Sequence, residues 1–574
     1  MFSVLAFKSE SLEVLRLDYN LISSVEFDGW ATPKLRELYL NNNPMTSVLA
    51  FDGWATPKLR QLHLFGNSLT TFPAFQSESL ELLGLNDNKI TSLQFDGRGS
   101  PKLRELYLND NSLTTIPALK SDSLEILNLN DNKIKRVEFD KWATPKLREL
   151  YLNNNSLTTF PLFESESLEI LGLNDNQITS VECDSWATPN LREIYLENNL
   201  LTYATNIKCH SLEILSLFGN HITDVEFDAW ATPKLRELYL NNNAMTSVLA
   251  FKSESLEVLR LDNNAISSVE FDGWATPKLR QLQLFGNSLT TFPAFQSESL
   301  ELLGLNDNKI TSLQFDGRGS PKLRELYLNN NSLTTIPALK SDSLEILYLN
   351  DNKIKRVEFD KWAIPNLREL NLDNNMLSSI PAFECQSLEL LALRDNKITS
   401  VEIDRWVTPN LKELDLYNNS LSSLSSFKSD RLEILSLSYN IFTRVDFDGW
   451  ATPNLRELWF HNNFLTFIPS LHSYSLKILC LYNNKIGSVQ IDGWATSKRI
   501  LFGIATNLLL KILIAAIKGM KNLEKFDCSK CSLGLTPSRG LLESQSKALN
   551  LVALWCNNIS KLDQGVIVGG SEVT

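Results

Sequence analysis

An asparagine recurs twenty-two times between Asn20 and Asn484, each time at the ninth position of one leucine-rich frame. Leu147-x-x-Leu150-x-Leu152-x-x-Asn155-x-Leu157 is a representative copy, and the frame restarts at Leu168, Leu191 and Leu212. A unit of 21 to 24 residues is too short to bury its own leucines at positions 1, 4 and 6, so each copy needs its neighbours. Such a chain forms a solenoid. Positions 3 to 6 alternate outward and inward as in a half-buried strand, and strands one repeat apart stack ~4.8 Å from each other in a parallel sheet. The asparagine suits the turn after that strand, where its amide has backbone groups of its own turn and of the next one to bond.

Steps of 23 and 21 residues alternate almost throughout, so the deeper unit is a pair of about 44. Odd repeats read like Lys146-Leu-Arg-Glu-Leu-Tyr-Leu-Asn-Asn-Asn155, and even repeats like Ser167-Leu-Glu-Ile-Leu-Gly-Leu-Asn-Asp-Asn176. Odd repeats are entered through segments such as Val137-Glu-Phe139-Asp-Lys-Trp142-Ala-Thr-Pro145, where proline favours extended or short 3-10 backbone on the convex side. Trp142, Trp186, Trp230, Trp274, Trp362, Trp406 and Trp450 recur once per pair. Their spacing follows the structural unit, which makes them filler of the convex wall rather than binding sites.

The chain also records its assembly. Residues 59–149 and 279–369 differ at five positions, among them His63 against Gln283 and Thr144 against Ile364. Residues 3–38 match the stretch from Ser247 in a different register, because one even repeat is missing where Leu49-Ala-Phe51 runs into Asp52-Gly53-Trp54. Recombination between copies explains both.

The frame resembles that of the leucine-rich repeat proteins, Leu-x-x-Leu-x-Leu-x-x-Asn-x-Leu or Ile, without a gap over about 12–486. Its length and the continuation Asn176-Gln-Ile178-Thr-Ser-Val181 are most similar to short repeats of the phosphatase-regulator and internalin types, although the Trp-Ala-Thr-Pro segment belongs to neither pattern. The resemblance implies an α/β solenoid: a horseshoe or arc with a continuous parallel concave β-sheet and a mostly irregular or 3-10 convex side. It also implies a scaffold for protein recognition rather than a catalyst. The fold alone names no ligand.

Past residue 498 the text becomes divergent. Ile500 to Ile517 approaches the length of a membrane-spanning helix, but Lys511 lies inside it and the frame continues through it. Arg499-x-x-Phe502-x-Ile504-x-x-Asn507-x-Leu509 fits except at its first position, the frame returns at Leu523, and a weak copy starts at Leu551. Repeats of one sheet cannot lie on opposite sides of a bilayer, so Leu510 to Met520 and Leu541 to Leu549 are expected to be helical convex segments. Cys528 and Cys531 fall on the sixth and ninth positions of a repeat, which makes them structural. The expected organisation is a regular array of 22 repeats over 1–498, divergent repeats over 499–562 and a tail over 563–574.

A net charge of −12 and a pI near 5.2 argue against nucleic acid or an anionic membrane as partner. Seven scattered cysteines without Cys-rich caps suit a reducing compartment, and Met1 to Phe7 repeats the interior of a unit rather than forming a leader. A cytoplasmic, monomeric solenoid is expected. The alternative is an extracellular or receptor ectodomain fragment without its leader and anchor. The five histidines are dispersed, and no phosphate loop or nucleophile elbow occurs. Carboxylates such as Glu105, Glu149 and Glu193 recur only on every second strand, about 10 Å apart, too wide for one ion. No cofactor, metal or catalytic residue is assigned.

Outward positions 3, 5, 7 and 8 form the concave surface, and most repeats carry the same residues there. A surface that repeats itself distinguishes no site, so recognition belongs to the exceptions. Asp415, Tyr417, Tyr439, Trp459, His461 and Tyr482 replace the usual residues in successive late repeats, and their composition suits the centre of a protein interface. Phe65, Phe218 and Phe285, each followed by glycine, form a second but dispersed set. The expected function is therefore non-enzymatic binding of a protein partner on this face.

Overall fold

Positions 3–5 of the frame pair with the same positions of the neighbouring repeats. In the computed structural model, Glu105, Ile126, Glu149, Ile170 and Glu193 face one another across five successive parallel three-residue strands. The structure describes residues 2–4 and 8–489 apart from short stretches in the connecting segments. Beyond them it describes only the strands Ile500–Gly503, Leu523–Asp527, Leu551–Ala553 and Glu572–Val573. The chain divides into two compact units, Met1–Gln283 and Leu284–Thr574, each a parallel-sheet solenoid.

Within each unit the core is a set of leucine rows. Leu147, Leu150, Leu152 and Leu157 are at most 2% exposed in the first, and Leu411, Leu414, Leu416 and Leu421 at most 3% in the second. Each buried leucine contributes about 1.5–3 kcal/mol, realised only when a neighbouring repeat covers it. Positions 3 and 5 stay half-buried in strands such as Glu149–Tyr151 and Glu413–Asp415, which offer two side chains to the outside, whereas position 5 is buried in strands such as Ile170–Gly172. The join at 49–54 is tolerated because Glu37–Tyr39 pairs directly with Gln61–His63.

Away from the sheet, short parallel pairs such as Thr71–Phe72 with Ser92–Leu93 and Ser379–Ile380 with Ser400–Val401 join adjacent repeats. Two 3-10 turns, Phe359–Lys361 and Ile403–Arg405, complete this side, and no α-helix occurs among the described residues. The helical segments expected at 510–520 and 541–549 lie outside the described residues, as do Cys528 and Cys531. Trp142, Trp230, Trp274, Trp362, Trp406 and Trp450 are half-buried, and Trp186 lies outside the described residues. Trp406 packs edge-on against Phe383 at 4.9 Å and donates its indole N–H to Pro381 O at 3.1 Å, which ties it to the preceding repeat.

The asparagine performs the bonding expected of it, with one correction. Asn155 Nδ2 donates to Leu152 O and Asn153 O in its own turn and to Leu129 O of the preceding repeat, at 3.0–3.1 Å. Its Oδ1 accepts from Ile134 N at 3.0 Å. The amide therefore reaches back to the preceding turn, not forward to the next. The residue at position 8 is left-handed in repeat after repeat, at φ 52° for Asn154 and 55° for Asp175, and this reversal precedes the inward-facing amide. Asn, Asp and Gly dominate position 8 because they tolerate that backbone. At Gly66, φ 68°, a Cβ would also collide with the Asn42 amide, which accounts for the glycine after Phe65.

The ladder continues past residue 498. Ile478 aligns with Leu501 and Leu501 with Lys525, so the frames from 499 and 523 keep their register and the apolar stretch opens as a strand. Leu551 is a correction: it aligns with Lys525 and is the third residue of its repeat, not the first. The repeat therefore reads Leu549-x-x-Val552-x-Leu554-x-x-Asn557-x-Ile559. Leucines at 549 and 551 both fit a first position, and only pairing separates them. Glu572–Val573 pairs in turn with Leu551–Val552. No helix among the described residues is long and apolar enough to cross a membrane.

Candidate protein-binding face

The regular part of the sheet face satisfies itself. Tyr151 OH donates to Glu149 at 2.9 Å, and burial, then that hydrogen bond, push its pKa up to about 12. Gly172 on the next strand leaves room for the ring, since a Cβ there would stand 3.0 Å from it. At position 2, Arg148 clasps Glu169 of the following repeat with bonds of 2.8 and 3.0 Å, and Arg104–Glu125 and Arg192–Glu213 repeat the pair. Each exposed pair contributes about 0–1 kcal/mol. This alternation of arginine and glutamate was legible in the sequence and absent from its reading above.

The exceptions are gathered on four strands paired in register: Glu413–Asp415, Ile434–Ser436, Glu457–Trp459 and Ile478–Cys480. Asp415 and Trp459 occupy position 5, Tyr417, His461 and Tyr482 position 7, and Tyr439 position 8. All six come together. Tyr417 and Tyr439 have ring centroids 4.9 Å apart, and Tyr439 meets His461 edge-on at 5.7 Å. Trp459 meets His461 edge-on at 6.1 Å, and His461 stacks on Tyr482 at 4.3 Å. Such ring pairs add about 0.5–1.5 kcal/mol each beyond burial.

The six have different roles. His461 is only 8% exposed, and its Nδ1 lies 2.8 Å from Ser438 Oγ, itself fully buried. Burial brings the His461 pKa down to about 4, so at neutral pH the ring is an uncharged support beneath the others. Asp415 accepts from Tyr417 N–H at 2.9 Å and pairs with Arg394 at 3.4 Å. The Arg394 guanidinium lies 4.7 Å above the Tyr417 ring, and Trp459 donates its indole N–H to Glu457 at 3.2 Å. Tyr439 is 44% exposed and holds the left-handed backbone at φ 54°, which costs a non-glycine residue about 1–2 kcal/mol.

Carboxylates surround the rings. Burial first, then the like charges of Asp415 and Asp395, push Asp373 up to about 6. Burial also raises Glu413, with Asp415 and Glu457 adding to it. Glu369, Asp373, Asp395, Glu413, Asp415 and Glu457 occupy outward positions here against a single guanidinium, Arg394. Sequence reading missed Arg394 and Asp373, although both depart from the usual asparagine at position 7. It also missed a smaller stack in the first unit, where Arg16 lies over Tyr39 at 4.4 Å and His63 stacks on that ring at 4.5 Å. Phe65, Phe218 and Phe285 remain dispersed single residues. No cluster able to hold a metal occurs among the described residues.

A model described as leucine-rich repeats in two copies matches residues 78–121, 101–141, 122–165, 145–187, 210–253, 298–341, 342–385 and 453–494, and a single leucine-rich repeat matches 410–429. No curated protein matches the chain in sequence. Among solved structures, YopM from Yersinia enterocolitica is 23% identical with a TM-score of 0.58, over 84% of this chain and 90% of that one. YopM from Yersinia pestis is 26% identical with a TM-score of 0.47, over 59% and 88%. A leucine-rich repeat protein of Leptospira interrogans is 22% identical with a TM-score of 0.44, over 68% and 92%. The matched repeats span more than half of the chain, which belongs to the leucine-rich repeat proteins.

Proposed function

We propose that this chain is a non-catalytic recognition scaffold whose protein partner docks on the sheet face of the repeats at 411–484. One observation carries the reading. The residues that depart from the repeat consensus on successive strands meet in a single chain of aromatic contacts, while the consensus columns elsewhere are occupied with one another. Interfaces concentrate their energy in such central aromatic anchors, and the exposed, strained Tyr439 stands at the rim of this one. The test places a photo-crosslinking amino acid at position 439 of the full chain in its native cells. A discrete crosslinked protein is expected, and Trp459→Glu combined with Tyr417→Ala should remove it without changing the far-UV spectrum. Equal crosslinking by the double variant sinks the assignment.

The scarcity of cysteine supports a cytoplasmic setting. A second reading, an ectodomain in an oxidising milieu, draws on a specific observation: Cys209 is disulfide-bonded. Disulfides persist mainly outside the cytosol, and the sequon residues Asn154, Asn330 and Asn418 are exposed. Intact-mass analysis of natively produced protein decides between them. The second reading requires a peptide linked through Cys209 before reduction, or glycan on Asn154, and the first requires neither.

A further inference from the structure

Strand register leaves one opening in the aromatic and acidic face. Ser436 pairs with Asp415 on one side and Trp459 on the other, so a small residue lies between a carboxylate and an indole two strands, or about 10 Å, apart. One step along the same strands, Ile434 lies between Glu413 and Glu457. Just past the strand ends lie Tyr417 and Tyr439. The walls of this slot are therefore Asp415, Glu413, Glu457 and the Trp459 ring, and its floor is the half-buried Ser436, whose hydroxyl is hydrogen-bonded to Asp415.

We infer that the slot over Ser436 receives a cationic side chain, an arginine or lysine, from an extended segment of the protein partner. The inference rests on the docking face proposed above and names its chemistry. Charge complementarity supports it, since the outward positions of the repeats from 367 to 484 present six carboxylates and one guanidinium. Internal precedent supports it as well. Arg394 already lies on Tyr417 with Asp415 beside it, and in the first unit Arg16 lies on Tyr39, whose hydroxyl donates to Glu37. Both sites hold a guanidinium against a ring with a carboxylate beside it. Over Ser436 the described residues supply none, while Glu413 and Asp415 are raised by burial and gain from a cation that the partner brings.

The test uses the full chain and fluorescein-labelled peptides of alternating glycine and arginine, with lysine, glutamine and glutamate counterparts, followed by anisotropy at physiological salt. Arginine and lysine peptides should bind, and glutamine and glutamate peptides should bind at least about tenfold more weakly. Ser436→Lys fills the slot with the chain's own ammonium and should weaken the arginine peptide about tenfold. Glu457→Gln, which leaves the floor intact, should weaken binding in the same direction as Ser436→Lys. Undiminished arginine binding by Ser436→Lys and Glu457→Gln, or equal binding of the glutamine peptide, overturns the cationic slot. Crosslinking at position 439 separates the two levels. If Ser436→Lys keeps the partner that Trp459→Glu with Tyr417→Ala loses, the face stands and the slot falls. If neither changes crosslinking while the peptide results hold, the slot stands and the docking assignment falls.

Discussion

Replacing Asn155 with alanine is expected to lower unfolding free energy by about 3–5 kcal/mol, read from denaturant melts of the full chain. The size follows from what the side chain holds. The amide of Ile134 loses its acceptor, and the carbonyls of Leu129, Leu152 and Asn153 each lose one of two donors, keeping Asn132 Nδ2, Asn176 Nδ2 and Asp131 N respectively. The orphaned amide costs about 1–3 kcal/mol and each lost carbonyl bond about 0.5–1.5 kcal/mol, and partial water entry reduces the sum. The loss spans two repeats, so in a solenoid it should appear as a local weakness, with faster amide exchange around Leu129 to Asn155 than in distant repeats. The neighbouring Asn154→Ala provides the contrast. Asn154 is exposed and donates to Asp131 at 2.5 Å, so its loss and the left-handed backbone at φ 52° should cost about 1–2 kcal/mol. Comparable losses at the two positions would falsify the ladder as the dominant contribution.

The same contrast explains how much of the molecule was legible in its text. The core, the strands and their register follow from leucines at positions 1, 4 and 6, because burial has only one face to choose and a slip of one residue would expose the whole row. The αL turn was legible too, in the Asn, Asp or Gly of position 8, although its geometry was not drawn from them. Leu551 was misplaced because two leucines two residues apart satisfy the same pattern, and only backbone pairing with Lys525 separates them. The candidate face was legible as a set of exceptions, and their convergence follows because positions 5, 7 and 8 of adjacent strands are neighbours in any such array. What the pattern could not supply was depth. Nothing in one dimension distinguishes covered His461, 8% exposed, from half-buried Tyr417 and Tyr482, since all three stand at position 7. Arg394 and Asp373 escape the sequence reading for a related reason: each reads as an ordinary exposed charge until a tyrosine ring or a second carboxylate is found beside it.

Depth also governs how the late repeats respond to acid, and here two buried groups act in opposite directions. His461 is held at about 4 by burial, below its ordinary value near 6.5. Between those values the unfolded chain takes up a proton that the folded chain refuses, so stability falls as pH falls, by about 3 kcal/mol on reaching pH 4. Asp373 is held at about 6 by burial and by Asp415 and Asp395, with Arg394 opposing. Its folded form takes up the proton first, so stability rises as pH falls from about 6 toward 4, by about 2–3 kcal/mol. Glu413 and Asp415, also raised by burial, act in the same direction as Asp373. Glutamates held low by ion pairs, such as Glu389 beside Lys412 and then Arg368, act in the direction of His461. Wild-type stability is therefore a poor probe of any one group, whereas the difference between variant and wild type at each pH cancels the rest. His461→Gln should gain about 3 kcal/mol relative to wild type between pH 7 and 4, and Asp373→Asn should lose about 2–3 kcal/mol over the same interval. The signs are the decisive outcome. Parallel shifts in the two variants would mean that these groups are not buried as their contacts require, and a flat difference for His461→Gln would place the ring in solvent rather than beneath Tyr439 and Tyr482.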